Sequence, residues 1–401
     1  MLTQERLTSL VEAETPHARA IRHDLHRHPE LMFEEKRTSE AVRRELEGLG
    51  IEFVGDLAGG TGVIGFIPAT GSPDRSPTIA LRADMDALPI QEATGREYAS
   101  RNPGVMHACG HDGHTAILLG AARVISRIEN RPNNVLLLFQ PAEEGGAGGQ
   151  KMCMDGALDG TAIGRPADQI YGLHGWPRHM LGNVSTRIGP LLAATDEFTV
   201  TVRGKGGHAA LPHNSIDPIV VAAHIVTALQ TIASRRVDPL DAVVLTIGAI
   251  HAGHAHNVIP DEVVMRGTIR TLKPETRALA EAEFRRITTH TARALGAEAI
   301  IDWEVGYPVT LNHAAPTERF RAIARRALGD SRVIEEPVPT MGGEDFAFYA
   351  EQIPACFFLL GLRPPEMEGD YPPVHTPKFD FNDDALPLGI ELMARLATEP
   401  A

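Results

Sequence analysis

The run Asn134-Val-Leu-Leu-Leu-Phe-Gln140 is apolar at every interior position and has the length of a strand. A strand with one wet face alternates polar and apolar residues; one without alternation is buried on both faces, which requires helices on both sides of its sheet. The surrounding text supplies such helices. Leu7, Leu10 and Val11, then Ile21 and Leu25, recur at helical spacing, Thr38 is placed to cap a second helix that stops at Gly50, and a small-residue helix follows His111. TGVIGFI at 61–67 and TIALRADM at 78–85 read as strands separated by the turn-rich GSPDRSP. This alternation predicts an α/β domain, whose ligands bind beyond the carboxyl ends of the strands.

From about residue 188 the rhythm changes to FTVTVRG, a helix opened by Asp217 and Pro218, VVLTIGAI, VVMRGTIR, a helix opened by Pro274, and AEAIIDWEV. The order β-α-β-β-α-β is that of a ferredoxin-like unit. After Pro308 helix and buried strand return (ACFFLLGL, 355–362), so residues 188–306 read as an insertion in a discontinuous domain made of 1–187 and 307–401. A chain of 401 residues exceeds what one core usually serves, in keeping with two domains.

The formal net charge of −14 disfavours nucleic acid and anionic membrane as partners and leaves small molecules. The cysteines, Cys109, Cys153 and Cys356, are odd in number and irregularly spaced, so a disulfide framework is not expected and a reducing cytoplasm fits. No apolar signal core and no run of bilayer-spanning length are apparent.

Chemistry concentrates in His107-Ala-Cys109-Gly-His111-Asp112-Gly-His114, where thiolate, imidazole and carboxylate crowd together, with Gly110 and Gly113 permitting a tight backbone. Cys109 and His111, two apart, point to one side of an extended segment. The alternative is a buried Cys beside unrelated loop histidines. Gln140-Pro-Ala-Glu143-Glu144-Gly-Gly follows the strand NVLLLFQ. Adjacent carboxylates in a dry cleft suit a metal ligand beside a proton carrier; a solvated acidic turn is the competing reading. His174 in YGLHGWP, ending a short strand, and His375 in YPPVHTPKFDFND gain weight only in combination with these motifs.

Together with HRHPELMFEE at 26–35, RADMDALP at 82–89, GKGGHAALPH at 204–213, NVIP at 257–260, MGGEDF at 341–346 and VHTPKFDFND at 374–383, these motifs make the chain resemble the M20 metallopeptidase superfamily. The likeness is to its amidohydrolase branch of aminoacylases, hippurate hydrolases and auxin-conjugate hydrolases, and it covers nearly the whole chain. It implies a zinc-exopeptidase-like catalytic domain with an inserted lid and dimerisation domain. It also implies two divalent ions per subunit, zinc or manganese ahead of cobalt or nickel, held by Cys109, His111, Glu144, His174 and His375. Glu143 would be the general base. We read Cys109 as a bridge, His111 and His174 as completing one metal site, and Glu144 and His375 the other. Asp86 and Asp112 are expected to orient ligating histidines, since such sites usually have carboxylates in that role. Asp84 stands where related branches place a metal-binding histidine.

The implied reaction is hydrolysis of the amide of an N-acyl amino acid: an acidified water attacks, and Glu143 carries its proton to the departing nitrogen. By the same resemblance His208 would stabilise the oxyanion from a partner subunit in a homodimer or homotetramer. Asn257 and Arg270 would clamp the substrate carboxylate; a surface charge is the alternative for Arg270. A dipeptidase, an N-carbamoyl-amino-acid hydrolase and a non-catalytic metal-dependent binding protein are the rival readings. His251, His254 and His256 are too loosely spaced for an expected third metal, and His26 and His28 are expected to be structural.

Overall fold

Eight strands form the main sheet in the order Glu52–Leu57, Gly62–Ile67, Asn134–Gln140, Thr78–Asp84, Gln169–Met180, Ala355–Arg363, Val184–Thr186 and Val333–Glu335. The computed structural model describes residues 3–367, 369 and 371–401. Thr78–Asp84 runs parallel to both of its neighbours, and Ala355–Arg363 parallel to Gln169–Met180. Every residue of Thr78–Asp84 and of Asn134–Gln140 is buried, as the unbroken apolar run demands. Ile79, Leu81, Val135, Leu137 and Phe139 share one face and one core with Leu10, Ile117, Leu118, Ile390 and Leu396 of three helices, Gln4–Arg27, His111–Ser126 and Leu386–Thr398.

Parallel pairing brings the carboxyl ends of the central strands to one edge. Asp84 and Gln140 are register partners there. Arg82 pairs with Gly172, so two residues on, His174 is level with Asp84. The short strand expected to end at His174 is in fact twelve residues long, because its other side pairs with Ala355–Arg363 as far as Met180.

The second helix spans Lys36–Gly48, and Thr38 does not cap it. Glu30 does so from outside, its carboxylate accepting from the backbone N–H of Arg37 (3.0 Å) and Thr38 (2.9 Å) and from the Thr38 hydroxyl (3.0 Å). The strand Glu52–Leu57 is absent from the sequence reading, since its half-buried, glycine-interrupted text lacks a clear period.

The chain divides into two compact units, the larger formed by residues through Leu191 with Leu311–Val338 and Asp345–Ala401, the smaller by Leu192–Thr310 with Pro339–Glu344. The sequence assigned the last of these segments to the larger domain. It belongs to the smaller because Ala193 N–H donates to Gly342 O (2.8 Å), and the Arg270 guanidinium to Met341 O (2.9 Å). The smaller unit has a four-stranded antiparallel sheet in the order Val243–Ala252, Glu262–Thr271, Ala194–Arg203, Glu298–Val305. Phe198, Val200, Val202, Val263 and Met265 form its core with helices Pro218–Leu229 and Pro274–Ala294. Asp217 caps the first of these through Ile219 N–H (2.9 Å). One expectation is corrected here: Pro218–Arg236 is long and apolar enough, by length and composition, to cross a membrane. In this fold Val221, Ile225, Leu229 and Ile232 of that stretch are buried in the unit's own core.

Glu30→Ala should lower unfolding stability by about 1–2 kcal/mol, the loss expected of a helix cap, whereas Thr38→Ala should cost less because both backbone bonds survive. Urea denaturation of the two variants checks this; equal midpoints would refute the cap.

Candidate metal centre

The ligand-bearing segments are shaped by a few backbone constraints. Gly110, at φ +91°, ends the loop that carries Cys109 and opens the helix that starts at His111. A Cβ on Gly113 would fall 2.5 Å from the Phe381 ring, so only glycine lets that buried ring pack under the helix start. Beyond the strand Asn134–Gln140 the chain turns through Ala142, at φ +56°, into Glu143 and Glu144. His375, at φ +62°, is pinned by its N–H to Ala108 O (2.8 Å), beside Cys109.

The side chains converge. Cys109 Sγ lies 3.2 Å from His174 Nε2 and 3.3 Å from His375 Nε2, and that His375 nitrogen is 3.1 Å from Glu144 Oε1. Donor atoms of Cys109, His111 and His174 lie within 4.8 Å of one another, as do those of Cys109, Glu144 and His375 and those of His111, Glu143 and Glu144. Two imidazoles are oriented by their far nitrogens. His111 Nδ1 faces Asp86 O (2.9 Å) and Oδ1 (3.1 Å), and His174 Nδ1 donates to Gly175 O (2.8 Å), so in each ring Nε2 points its lone pair inward. His111 Nε2 is buried and has no hydrogen-bond partner. Burial, and then Glu144, Glu143 and Asp84, push the Cys109 thiol well above its ordinary pKa. A pocket with an orphaned imidazole nitrogen and this excess of anionic groups lacks positive charge, and its mixed sulfur, nitrogen and oxygen donors fit two divalent ions.

A polar layer lies beneath these groups. Asp84 accepts from Arg82 Nη1 (2.6 Å) and His114 Nδ1 (2.6 Å), while His114 Nε2 accepts from Gly175 N–H (2.8 Å). Both nitrogens of His114 are thus engaged, which removes it from the ligand candidates despite its place in the motif. Burial would raise the pKa of Asp84, but His111, Arg82 and His114 hold it well below the usual carboxylate range. Asp86 serves both sides of the centre, since its Oδ2 accepts from Glu144 N–H (2.9 Å).

Asp112 behaves differently from expectation: it accepts from His26 Nδ1 (2.8 Å) and Arg22 (3.3 Å) instead of from a metal-capable histidine. Although burial disfavours the cation, Asp112 and Glu92 hold the His26 imidazolium to a pKa of about 9. His111 uses the carboxylate at Asp86, leaving Asp112 to the inner face of the first helix. His28 bonds Asp24 O within that helix (2.9 Å). His107 is buried, which lowers its pKa to about 4. Among the described residues no metal-capable group includes His251, His254 or His256. Cys153 and Cys356 are free thiols.

The smaller unit carries the other candidates. His208 is exposed, and its Nδ1 accepts from Ala210 N–H (3.0 Å), leaving Nε2 as an outward donor. Ala209 N–H bonds Asn257 O (3.1 Å), so Asn257 and His208 adjoin. Arg270 stands at the far end of the strand Glu262–Thr271. At the usual rise per residue it lies on the order of 25 Å from the Asn257 end. One chain therefore cannot close both on the same small carboxylate, contrary to the clamp expected from sequence.

Strand ends bearing converged thiol, imidazole and carboxylate donors define an α/β protein with a binuclear metal centre. Residues 80–399 match the profile of Peptidase family M20/M25/M40, and the chain belongs to that family. It is 43 % identical over 367 residues to N-acetyl-L-cysteine deacetylase of Bacillus subtilis, covering 91 % of this chain and 84 % of the relative. It is 40 % identical over 383 residues to IAA-amino acid hydrolase ILR1-like 4 of Arabidopsis thaliana, covering 94 % and 84 %. Among solved structures it is similar to a dinuclear metal binding peptidase of the M20 family from Bacillus subtilis, at TM-score 0.81, 35 % identity and coverage of 96 % and 98 %. The chain is accordingly a metal-dependent amidohydrolase.

Asp86→Ala removes the carboxylate that orients His111 and anchors the Glu144 backbone. It should weaken metal binding about 10–100-fold, as loss of such outer partners does. Chelator competition measures this, and unchanged affinity would show that Asp86 does not hold the centre.

Proposed function

We propose that the protein hydrolyses the amide bond of N-acyl amino acids, with Glu143 as proton carrier and Cys109, His111, Glu144, His174 and His375 holding two divalent ions, zinc or manganese. The observation that carries this reading is the carboxylate pair: Glu143 and Glu144 converge on His111, while only Glu144 is also grouped with Cys109 and His375. That asymmetry suits one ligand beside one base. When bound, the ions supply the charge that polarises the acyl carbonyl and acidifies a water. Glu143 takes the proton that the water loses as its oxygen bonds the acyl carbon. It then gives that proton to the amide nitrogen as the carbon–nitrogen bond breaks, releasing acid and amine. Asp86 keeps His111 in its orientation throughout. The relatives named above act on N-acetyl-L-cysteine and on IAA-amino acids, which supports an N-acyl amino acid as the substrate class here.

We place His208 and Asn257 of one subunit at the site of another. The separation of Asn257, which precedes the strand Val258–Ile259, from Arg270 near the end of Glu262–Thr271 supports this, because one copy cannot bring both to one carboxylate. The smaller unit offers a surface for pairing: Val243–Ala252 is a ten-residue edge strand, and Ile219, Val220 and Ile250 are exposed.

With N-acetyl, N-benzoyl and indole-acyl amino acids as substrates, turnover should vanish with chelator. Glu143→Gln should lose about 100 to 10,000-fold in rate with two metals still bound, and Glu144→Ala should lose metal. A metal-free Glu143→Gln beside an unaffected Glu144→Ala would reverse the roles, and preferential cleavage of dipeptides or N-carbamoyl amino acids would move the substrate class.

His208→Ala and Glu143→Gln homodimers should each be nearly inactive. After equal mixing and subunit exchange about half the dimers are mixed, and one site of each mixed dimer is intact, so about a quarter of all sites should recover. Recovery is read as turnover against unmixed controls; none after demonstrated exchange would rule out catalysis in trans.

A further inference from the structure

Glu35 is fully buried, and its side chain does not cap the helix that it precedes. Its Oε1 accepts from two backbone N–H groups, those of Phe33 (2.9 Å) and Ala142 (2.9 Å), and its Oε2 from the Thr61 hydroxyl (2.8 Å). Phe33 and Ala142 are both non-glycine residues in the left-handed region, at φ +62° and +56°. Both also border Gly146: a Cβ there would fall 2.6 Å from Ala142 Cβ and 2.7 Å from the Phe33 ring. One carboxylate oxygen thus ties two strained backbone positions, from segments more than a hundred residues apart, at the residue before Glu143.

We propose that Glu35 is a positioning residue for the hydrolytic centre: by holding the Ala142 N–H it fixes the backbone on which Glu143 and Glu144 are mounted. Left-handed backbone in an alanine persists only when its surroundings over-determine it; at Ala142 Glu35 holds the N–H, while the carbonyl accepts from Gly148 N–H (3.1 Å). Were the N–H released, Ala142 would relax toward ordinary φ and rotate the next two residues away from His111. The proposal rests on the roles assigned above to Glu143 and Glu144. It concerns acceptor geometry, so glutamine, which keeps an oxygen at the Oε1 position, should serve nearly as well, while alanine should not.

The test compares wild type, Glu35→Gln, Glu35→Ala and Glu143→Gln, each loaded with zinc. Three measurements are made: kcat and KM on an N-acetyl amino acid, zinc affinity by chelator competition, and hydrogen exchange of residues 141–148 against the strand 134–140. In Glu35→Ala, kcat and the affinity of the weaker zinc should each fall about 10–100-fold, the range for loss of an outer partner. KM should change little, and exchange should quicken in 141–148 but not in 134–140. Glu35→Gln should restore all three readouts to near wild type. Should Glu35→Ala not fold, Glu35→Asp, which draws the acceptor back, carries the same expectations. Wild-type kcat and zinc affinity in Glu35→Ala, exchange that quickens equally in both segments, or a Glu35→Gln as impaired as Glu35→Ala would overturn the proposal. An active Glu143→Gln, or a wild type inert toward the amide, would instead overturn the functional reading, while zinc affinity and exchange would still judge Glu35.

Discussion

The centre depends on one buried cation. Arg82 has no exposed surface, and its guanidinium donates to Asp84 (2.6 Å), Gln140 (2.8 Å) and Asp345 (2.9 Å). These partners come from two neighbouring strand ends and from a segment far along the chain. Asp345 in turn accepts from Gln140 Nε2 and from Gly149 N–H (2.7 Å), in the first turn of the helix Gly148–Met154 that follows Glu143 and Glu144. Removing one partner of such a buried pair costs about 3–5 kcal/mol, because the other charge is left stranded. The network therefore holds the floor of the site before any ion binds.

That floor decides which histidines are free to ligate. Asp84, already paired with Arg82, fixes His114 as a donor through Nδ1, and Gly175 N–H then occupies its other nitrogen. His114 spends its capacity positioning the residue after His174, and its ring meets that of His174 at 4.8 Å. His111 and His174 instead turn their far nitrogens to Asp86 and to Gly175 O, which keeps Nε2 available. The division among three neighbouring imidazoles follows from where their second nitrogens find partners.

How far this was legible in the sequence follows from the range of each contact. The run NVLLLFQ announced a doubly covered strand because burial on both faces leaves a local trace, and Cys109, His111, Glu143 and Glu144 lie in clusters too dense to overlook. Asp112 was misjudged because sequence shows only that a carboxylate adjoins His111. Its rotation toward His26 and Arg22 is set by the helix Gln4–Arg27, about ninety residues earlier. Arg82 and Asp345 lie in the motifs RADMDALP and MGGEDF, yet nothing local couples residues 263 apart. The i, i+2 spacing of Arg82 and Asp84 on one strand face was the available signal for half of that network. Likewise the capping by Glu30 departs from the side-chain pattern at the helix start that sequence rules read.

The positive-φ residues give the last constraint. Of the non-glycine positions in the left-handed region, Ala142, Ala147 and His375 flank or belong to the cluster of converged donors, and Phe33 and Ala142 both border Gly146. Strain of this kind costs on the order of 1–3 kcal/mol per residue, and it survives here because specific backbone bonds oppose its release: Glu35 on Phe33 and Ala142, and Ala108 O on His375. An unstrained turn after Gln140 would point the carboxylate pair elsewhere, and a relaxed His375 would leave Cys109. The core of the main sheet supplies the stability that offsets this cost, so the strand burial read first from the sequence is also what allows the site its geometry.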